Sequence, residues 1–205
     1  MDDRRGRFIT LEGIDGAGKS TDVGWIRDQL AARARIVCTR EPGGTALGEK
    51  LRELLLSHPM THDSEALLMF AARREHLEAV IRPALRRGDW VLCDRFTDAT
   101  YAYQGGGHGV DAKRIRELEA WVHGDCSPDL TLLFDVPTQV SRERLARDGR
   151  PLDKFEREVA TFFDRVRAAY LHRAHAEPTR FVVVDSTQPL DQVREAIAIA
   201  LGAIQ

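Results

Sequence analysis

The run Gly13-Ile14-Asp15-Gly16-Ala17-Gly18-Lys19-Ser20 stands directly after a short apolar segment and directly before a stretch of helical character. Glycines at this G-x-x-x-x-G-K-[ST] spacing let the backbone wrap closely around phosphate oxygens. Amide donors and the positive end of the following helix then meet the negative charge. Lys19 is placed to reach the β- and γ-phosphates of a nucleoside triphosphate, and Ser20 to ligate Mg2+. ATP is the expected ligand, held by Gly13, Ile14, Asp15, Gly16, Ala17, Gly18, Lys19, Ser20 and Thr21. A chance glycine-rich turn would have no reason to sit between a strand and a helix. A GTP-reading Asn-Lys-x-Asp motif does not occur in the sequence. The loop alone does not separate kinases from switches and motors.

Such a loop needs a strand end and a helix start held side by side, and the rest of the chain has the matching pattern. Short β-branched apolar runs alternate with longer segments of helical period, which predicts a three-layer α/β fold: a five-stranded parallel sheet flanked by helices. Strands are expected at 7–12, 35–38, 90–94, 130–134 and 181–185. A helix over 155–171 would turn Phe155, Val159, Phe162, Phe163, Val166 and Tyr170 to one side, and a last helix would do the same with Leu190, Val193, Ile197, Leu201 and Ile204. Residues 64–87 also have helical period, with a kink or restart expected at Pro83. With 205 residues, no repeat and no linker, one domain over 1–205 is expected.

Charge limits the partners. A net charge of −2 gives no basic field for a polymeric nucleic acid, so the anions bound here should be small. Cys38, Cys93 and Cys126 fit neither a disulfide framework nor a zinc spacing and read as reduced thiols of a cytoplasmic protein. No apolar run approaches the length of a membrane span or a signal sequence. His172 and His175, three apart, read as a solvated face, and His108 has no evident role.

Four further segments concern a second substrate: Thr39-Arg40-Glu41-Pro42-Gly43-Gly44-Thr45, Phe70-Ala71-Ala72-Arg73-Arg74-Glu75-His76, Asp94-Arg95-Phe96 and Tyr101-Ala102-Tyr103-Gln104-Gly105-Gly106-Gly107. Arg95 follows an apolar strand, where open α/β sheets bind ligands, and a guanidinium there can fork onto a phosphate. Together with the phosphate loop, these segments closely resemble bacterial thymidylate kinases from about residue 8 to the C-terminal helix.

The resemblance implies Mg2+-dependent transfer of the ATP γ-phosphate to dTMP. It implies that Arg95 and Arg52 hold the dTMP phosphate, with Asp94 near the transferring group and the metal; from spacing alone, Arg52 reads as a solvated helix arginine. Arg73 becomes the partner of thymine O4, with either Met69 or Phe70 against the ring. Thr100 and Gln104 match base-binding positions, Tyr103 matches a residue packed on the deoxyribose, and Asp15 lies near metal and sugar. Relatives are homodimers, and the helix over 64–87 is a candidate interface.

A lid is expected at about 141–153, with Arg142, Arg144, Arg147 and Arg150 around Asp148-Gly149. A run of this kind is usually a solvated face; over a phosphate loop it can bring positive charge to the transition state and exclude water. Gly16 occupies the loop position where some relatives carry an arginine, so the chain resembles the lid-arginine type. Arg147 and Arg150 are then the expected catalytic arginines beside Lys19, Asp94 and Arg95, with Arg142 on adenine. Gln188 lies in the segment 185–190 that matches part of an adenine pocket. A kinase for another small acceptor, or a nucleotide switch, would share the loop but not the acceptor segments.

Overall fold

The computed structural model describes residues 5–147 and 153–204. Its centre is a five-stranded, all-parallel sheet in the order β2-β3-β1-β4-β5, built from β1 (Phe8–Glu12), β2 (Ile36–Arg40), β3 (Trp90–Asp94), β4 (Leu130–Asp135) and β5 (Phe181–Asp185). The central strand β1 is wholly buried, and its side chains alternate between two cores. Phe8 joins Val91, Cys93 and Phe70 on one face; Ile9 and Leu11 join Leu92, Leu132 and Phe134 on the other.

All five expected strands form, but two extend past their apolar segments. β2 runs to Arg40, pairing Arg40 with Asp94, and β4 runs to Asp135. Ladder hydrogen bonds continue past the last apolar side chain, so hydrophobicity understates the strand where it meets the site. β2 is also an edge strand with half-exposed residues, which weakens its signal further.

The connections are helical: α1 (Lys19–Leu30), α2 (Ala46–Ser57), α3 (His62–His76), α4 (Arg82–Arg86), α5 (Thr97–Thr100), α6 (Ala112–His123), α7 (Thr138–Arg147), α8 (Ala160–Ala176) and α9 (Leu190–Gly202). The break expected at Pro83 takes the form of a wide π turn, Leu77–Ile81, between α3 and α4. A second π turn, Tyr101–Gly107, continues α5 and lies against α8. Gly107 permits that approach, because a Cβ there would come within 2.4 Å of the Phe162 ring.

The helix expected over 155–171 is displaced: α8 starts at Ala160, and Phe155 lies in a separate turn. The Asp153 carboxylate accepts from the amides of Phe155 and Glu156, while Glu156 accepts from the Asp153 amide, closing a reciprocal cap that isolates the turn. Val159 is therefore 64% exposed rather than on the buried face, which retains Phe162, Phe163, Val166 and Tyr170. In α9, Val193, Ile197 and Leu201 are buried as expected, but Leu190, at the exposed first position, is not. His172 and His175 are exposed. All three cysteines are free thiols. Among the described residues no helix is long and apolar enough to cross a membrane.

Candidate active site

The phosphate loop joins the end of β1 to the start of α1, as its sequence requires. Gly13, Gly16 and Gly18 all have positive φ. Gly16 is sterically fixed as well: a Cβ there would sit 2.6 Å from the carbonyl oxygen of Ser141, because α7 rests directly on the loop. The Ser141 hydroxyl locks this contact by donating to the Asp15 carbonyl.

Lys19 is buried, and its Nζ donates to the carbonyls of Gly13 (2.9 Å) and Ile14 (3.3 Å). Burial and the nearby Arg95 charge bring its pKa down to about 8. The Ser20 side chain opens on the same cleft. Across it, one buried carboxylate oxygen of Asp94, Oδ1, has no hydrogen-bond partner among the described residues. A hydroxyl and an unpaired carboxylate oxygen on residues lining one cleft are a donor set that suits Mg2+, which takes few protein oxygens and keeps several waters.

Arg95 adopts φ 68°, a left-handed conformation that costs energy outside glycine and turns the side chain back over the end of the sheet. Its Nη2 donates to Asp15 Oδ1 (2.5 Å) and the Tyr103 hydroxyl (3.1 Å), and its Nη1 to the Tyr170 hydroxyl (3.1 Å). Tyr103 in turn donates to Asp15 Oδ2 (2.7 Å). Burial alone would raise the Asp15 pKa, but Arg95 and Lys19 outweigh it and hold the carboxyl below its ordinary value. Asp15 and Arg95 thus stand as a fixed ion pair at the junction of two cavities. One is the phosphate cleft, and the other runs between α3 and the Tyr101–Gly107 turn; Asp15, Glu41, Arg52 and Arg95 line both.

The second cavity is walled by Met69, Arg73, Thr100, Tyr103, Gln104 and Phe155. Arg73 is 2% exposed. Its Nε donates to Glu41 Oε2, and its Nη2 to the Phe96 carbonyl (3.1 Å) and the Thr100 hydroxyl (3.2 Å). Its Nη1 is buried and has no partner among the described residues, so one guanidinium nitrogen is left with its N–H groups unpaired. Arg52 is half-buried and donates to the Pro42 carbonyl. Gln104 is held by donation to the buried Glu65 carboxylate at 2.9 Å.

Met69 and Phe70 lie in different surroundings. Met69 lines the cavity, whereas Phe70 lies beneath the Arg73 guanidinium, 4.8 Å from its ring centroid, in the core with Ala66 and Leu77. Phe70 is therefore corrected to a core residue. A step of one residue turns a helical side chain by about 100°, enough to move it from cavity to core.

The arginines of α7 are also redistributed. Arg142 is exposed and lines neither cavity. Arg144 instead crosses the phosphate loop, with Nη2 donating to the Ser186 carbonyl (2.7 Å) and Nη1 directed at the carbonyls of Gly16 and Ala17. Arg147 lines the phosphate cleft; Arg150 and the rest of 148–152 lie outside the described residues. The Gln188 side chain is exposed and donates to Asp185, and neither cavity is lined by it; segment 185–190 meets Arg144 through the Ser186 carbonyl.

Sequence reasoning missed Glu12. This residue is fully buried at the end of β1, accepting from the Phe96 amide (2.7 Å) and the Tyr170 hydroxyl (2.8 Å). Burial, reinforced by Asp98, pushes its pKa up to about 8. A glutamate ending an otherwise apolar central strand was the available signal.

Comparison with known proteins gives a consistent pattern. The sequence model of the family described as Thymidylate kinase matches residues 11–197. Thymidylate kinase of Bordetella petrii is 60% identical over 201 residues, covering 98% of this chain and 97% of the relative. That of Cupriavidus metallidurans is 59% identical, covering 94% and 96%. The crystal structure of thymidylate kinase from Ehrlichia chaffeensis is 34% identical and superposes with a TM-score of 0.78, covering 96% of this chain and 99% of that one.

Proposed function

The chain belongs to the thymidylate kinase family, and from that premise we propose a division of labour among its residues for transfer of the ATP γ-phosphate to dTMP. The observation that carries it is the junction at Asp15 and Arg95, which line both the phosphate cleft and the cavity walled by Arg73, whose Nη1 is unpaired among the described residues.

ATP lies with its phosphates along the loop amides and Lys19, under Arg144 and Arg147. The lid expected at about 141–153, with Arg150 in its undescribed part, is assigned to the same side of the nucleotide. The dTMP phosphate meets Arg95 and Arg52, and the base runs towards Met69, Arg73, Thr100 and Gln104. Arg73 Nη1 donates to a pyrimidine carbonyl, and Tyr103, fixed by Asp15 and Arg95, packs against the sugar. An arginine with one donor left over penalises any base that leaves it unpaired.

The acceptor phosphate is already an anion at neutral pH, so the reaction needs no strong general base. Catalysis is alignment of two anions plus neutralisation of the charge spread over the transferring phosphoryl. Lys19, Arg95, Arg147 and Arg150 provide the positive side chains. Mg2+, held through Ser20 and Asp94, supplies further charge neutralisation when bound. The carbonyls of Gly13 and Ile14, now occupied by Lys19, release it towards the phosphates.

The proposal extends to a single kinase domain over 1–205, a cytoplasmic location and a homodimer. Exposed Leu67 (55%) on α3 and Trp121 (79%) on α6 flank an apolar groove that supports the α3 side as the interface. The test is ADP release with each deoxynucleoside monophosphate as acceptor. Turnover with dTMP well above the others supports the reading. Preference for another monophosphate would make this a kinase for a different acceptor, and ATP binding without transfer to any would make it a switch.

A further inference from the structure

His108, which the phosphoryl-transfer site does not use, ends the Tyr101–Gly107 turn with its side chain only 8% exposed. Its Nε2 is buried and has no hydrogen-bond partner among the described residues. That nitrogen lies 3.6 Å from Oε1 of Glu65, whose side chain is wholly buried. His62, the first residue of α3, is three before Glu65 and so shares its helix face. The His62 ring lies parallel to the His108 ring, with centroids 4.0 Å apart. One ligand atom from each of the three residues falls within 4.8 Å of the others.

We propose that His62, Glu65 and His108 form a binding site for a divalent transition-metal ion of the zinc class. Two imidazoles and one carboxylate, with a fourth position open to water, match the donor preference of such an ion. They do not match Mg2+, which takes oxygen ligands and retains its waters. In a tetrahedral shell the ligand atoms lie roughly 3.3 Å apart, near the present Glu65–His108 separation. His62 is exposed at a helix start, so a side-chain rotation brings its nitrogen into place and ends the ring stacking.

The carboxylate already has the outer hydrogen bonds that orient a metal ligand. Its Oε1 accepts from Gln104, and its Oε2 from Lys154. Because Gln104 also walls the acceptor cavity, an ion on Glu65 is held against the element that reads the base.

The test is titration of zinc chloride into the full chain in buffer containing excess Mg2+ and no nucleotide, followed by calorimetry. Cobalt(II) is titrated in parallel and followed by its visible absorption. The expected result is one ion per chain, with the stronger visible bands of a tetrahedral cobalt centre. His62→Ala, at an exposed position outside the catalytic machinery, should fold normally and weaken zinc binding at least about tenfold. His108→Gln should remove the cobalt bands. Absence of binding in the wild type overturns the proposal, as does unchanged affinity in a folded His62→Ala protein, which would put the ion elsewhere. If His108→Gln fails to fold, the His62→Ala titration decides.

Discussion

Arg73 and Glu41 are 2.7 Å apart, with side chains 2% and 4% exposed, and this buried pair fixes the guanidinium in the wall of the acceptor cavity, with Nη1 unpaired among the described residues. Glu41 also accepts from His76 at 2.9 Å, so both carboxylate oxygens are used. Two strands and a helix are tied together by the arrangement: β2 ends in Glu41's neighbour Arg40, β3 leads to Arg95 and Phe96, and α3 carries Arg73 and His76.

Glu41→Gln should therefore be costly out of proportion to its size. It leaves a buried guanidinium without its counter-charge, a change that typically costs about 3–5 kcal/mol. The expected outcome is a large fall in the urea midpoint at pH 7, with a raised KM for dTMP. Burial pushes the Glu41 pKa up, but Arg73 and His76 outweigh that and hold it below its ordinary 4.5. A depressed carboxyl gives stability that is present above its unfolded pKa and lost as pH falls through its folded one. The gap between wild type and variant should thus narrow as pH drops below 4.5. A gap independent of pH would mean that the charge of Glu41 is not what stabilises the fold.

Lys19 gives a pH dependence on the alkaline side. With its pKa brought down to about 8 by burial and Arg95, the free enzyme loses this positive charge at far lower pH than an exposed lysine would. A triphosphate favours the charged form, so ATP binding should take up a proton near and above pH 8. Calorimetry in buffers of different ionisation enthalpy at pH 8.5 reads that uptake directly, and kcat/KM for ATP should decline above pH 8. Lys19→Arg, less active but permanently charged, should lose this decline.

How much of this was legible beforehand varies with the physics of each element. The sheet was, because β1 and β3 are buried on both faces and leave apolar runs such as Val91-Leu92-Cys93. The phosphate loop was, because its backbone shape demands glycine at fixed spacing. The choice between Met69 and Phe70 was not: it depends on the rotation of α3, which tertiary packing of Phe70 under Arg73 decides. The start of α8 was obscured because Phe155 and Val159 fit the helical period, while the Asp153–Glu156 cap that breaks it is polar. For Arg142 and Arg144, composition identified a cluster, but only the seating of Ser141 on Asp15 says which side of α7 faces the loop.

That orientation can be tested by comparing two neighbouring arginines. Arg144 bonds the Ser186 carbonyl and covers those of Gly16 and Ala17, whereas Arg142 is exposed and faces neither cavity. Arg144→Ala should lower kcat/KM for ATP by roughly tenfold to a hundredfold, the scale of losing one or two charge-assisted hydrogen bonds. Arg142→Ala should stay within about twofold of wild type, as an exposed surface change does. Steady-state kinetics with varied ATP and saturating dTMP checks both. The reverse ranking would place α7 on the loop by its other face.

Glu12 offers a test of the support beneath Arg95. It accepts from the Phe96 amide directly after the left-handed Arg95, and from Tyr170, which itself receives Arg95 Nη1. Burial first, and Asp98 second, push its pKa up from 4.5 to about 8, so the folded protein holds a proton there at neutral pH that the unfolded chain has released. The sign follows: stability from this group is full below pH 4.5 and is lost progressively as pH rises to about 8, at no more than about 1.4 kcal/mol per pH unit. Glu12→Gln keeps the shape and an acceptor for Phe96 without a titrating proton. Relative to wild type, the variant should gain stability steadily between pH 5 and 8 and no further above that, measured by urea unfolding at pH 5, 7 and 8.5. Parallel stability profiles for the two proteins would show that Glu12 is ionised in the native state, with the Arg95 guanidinium rather than a proton balancing its charge.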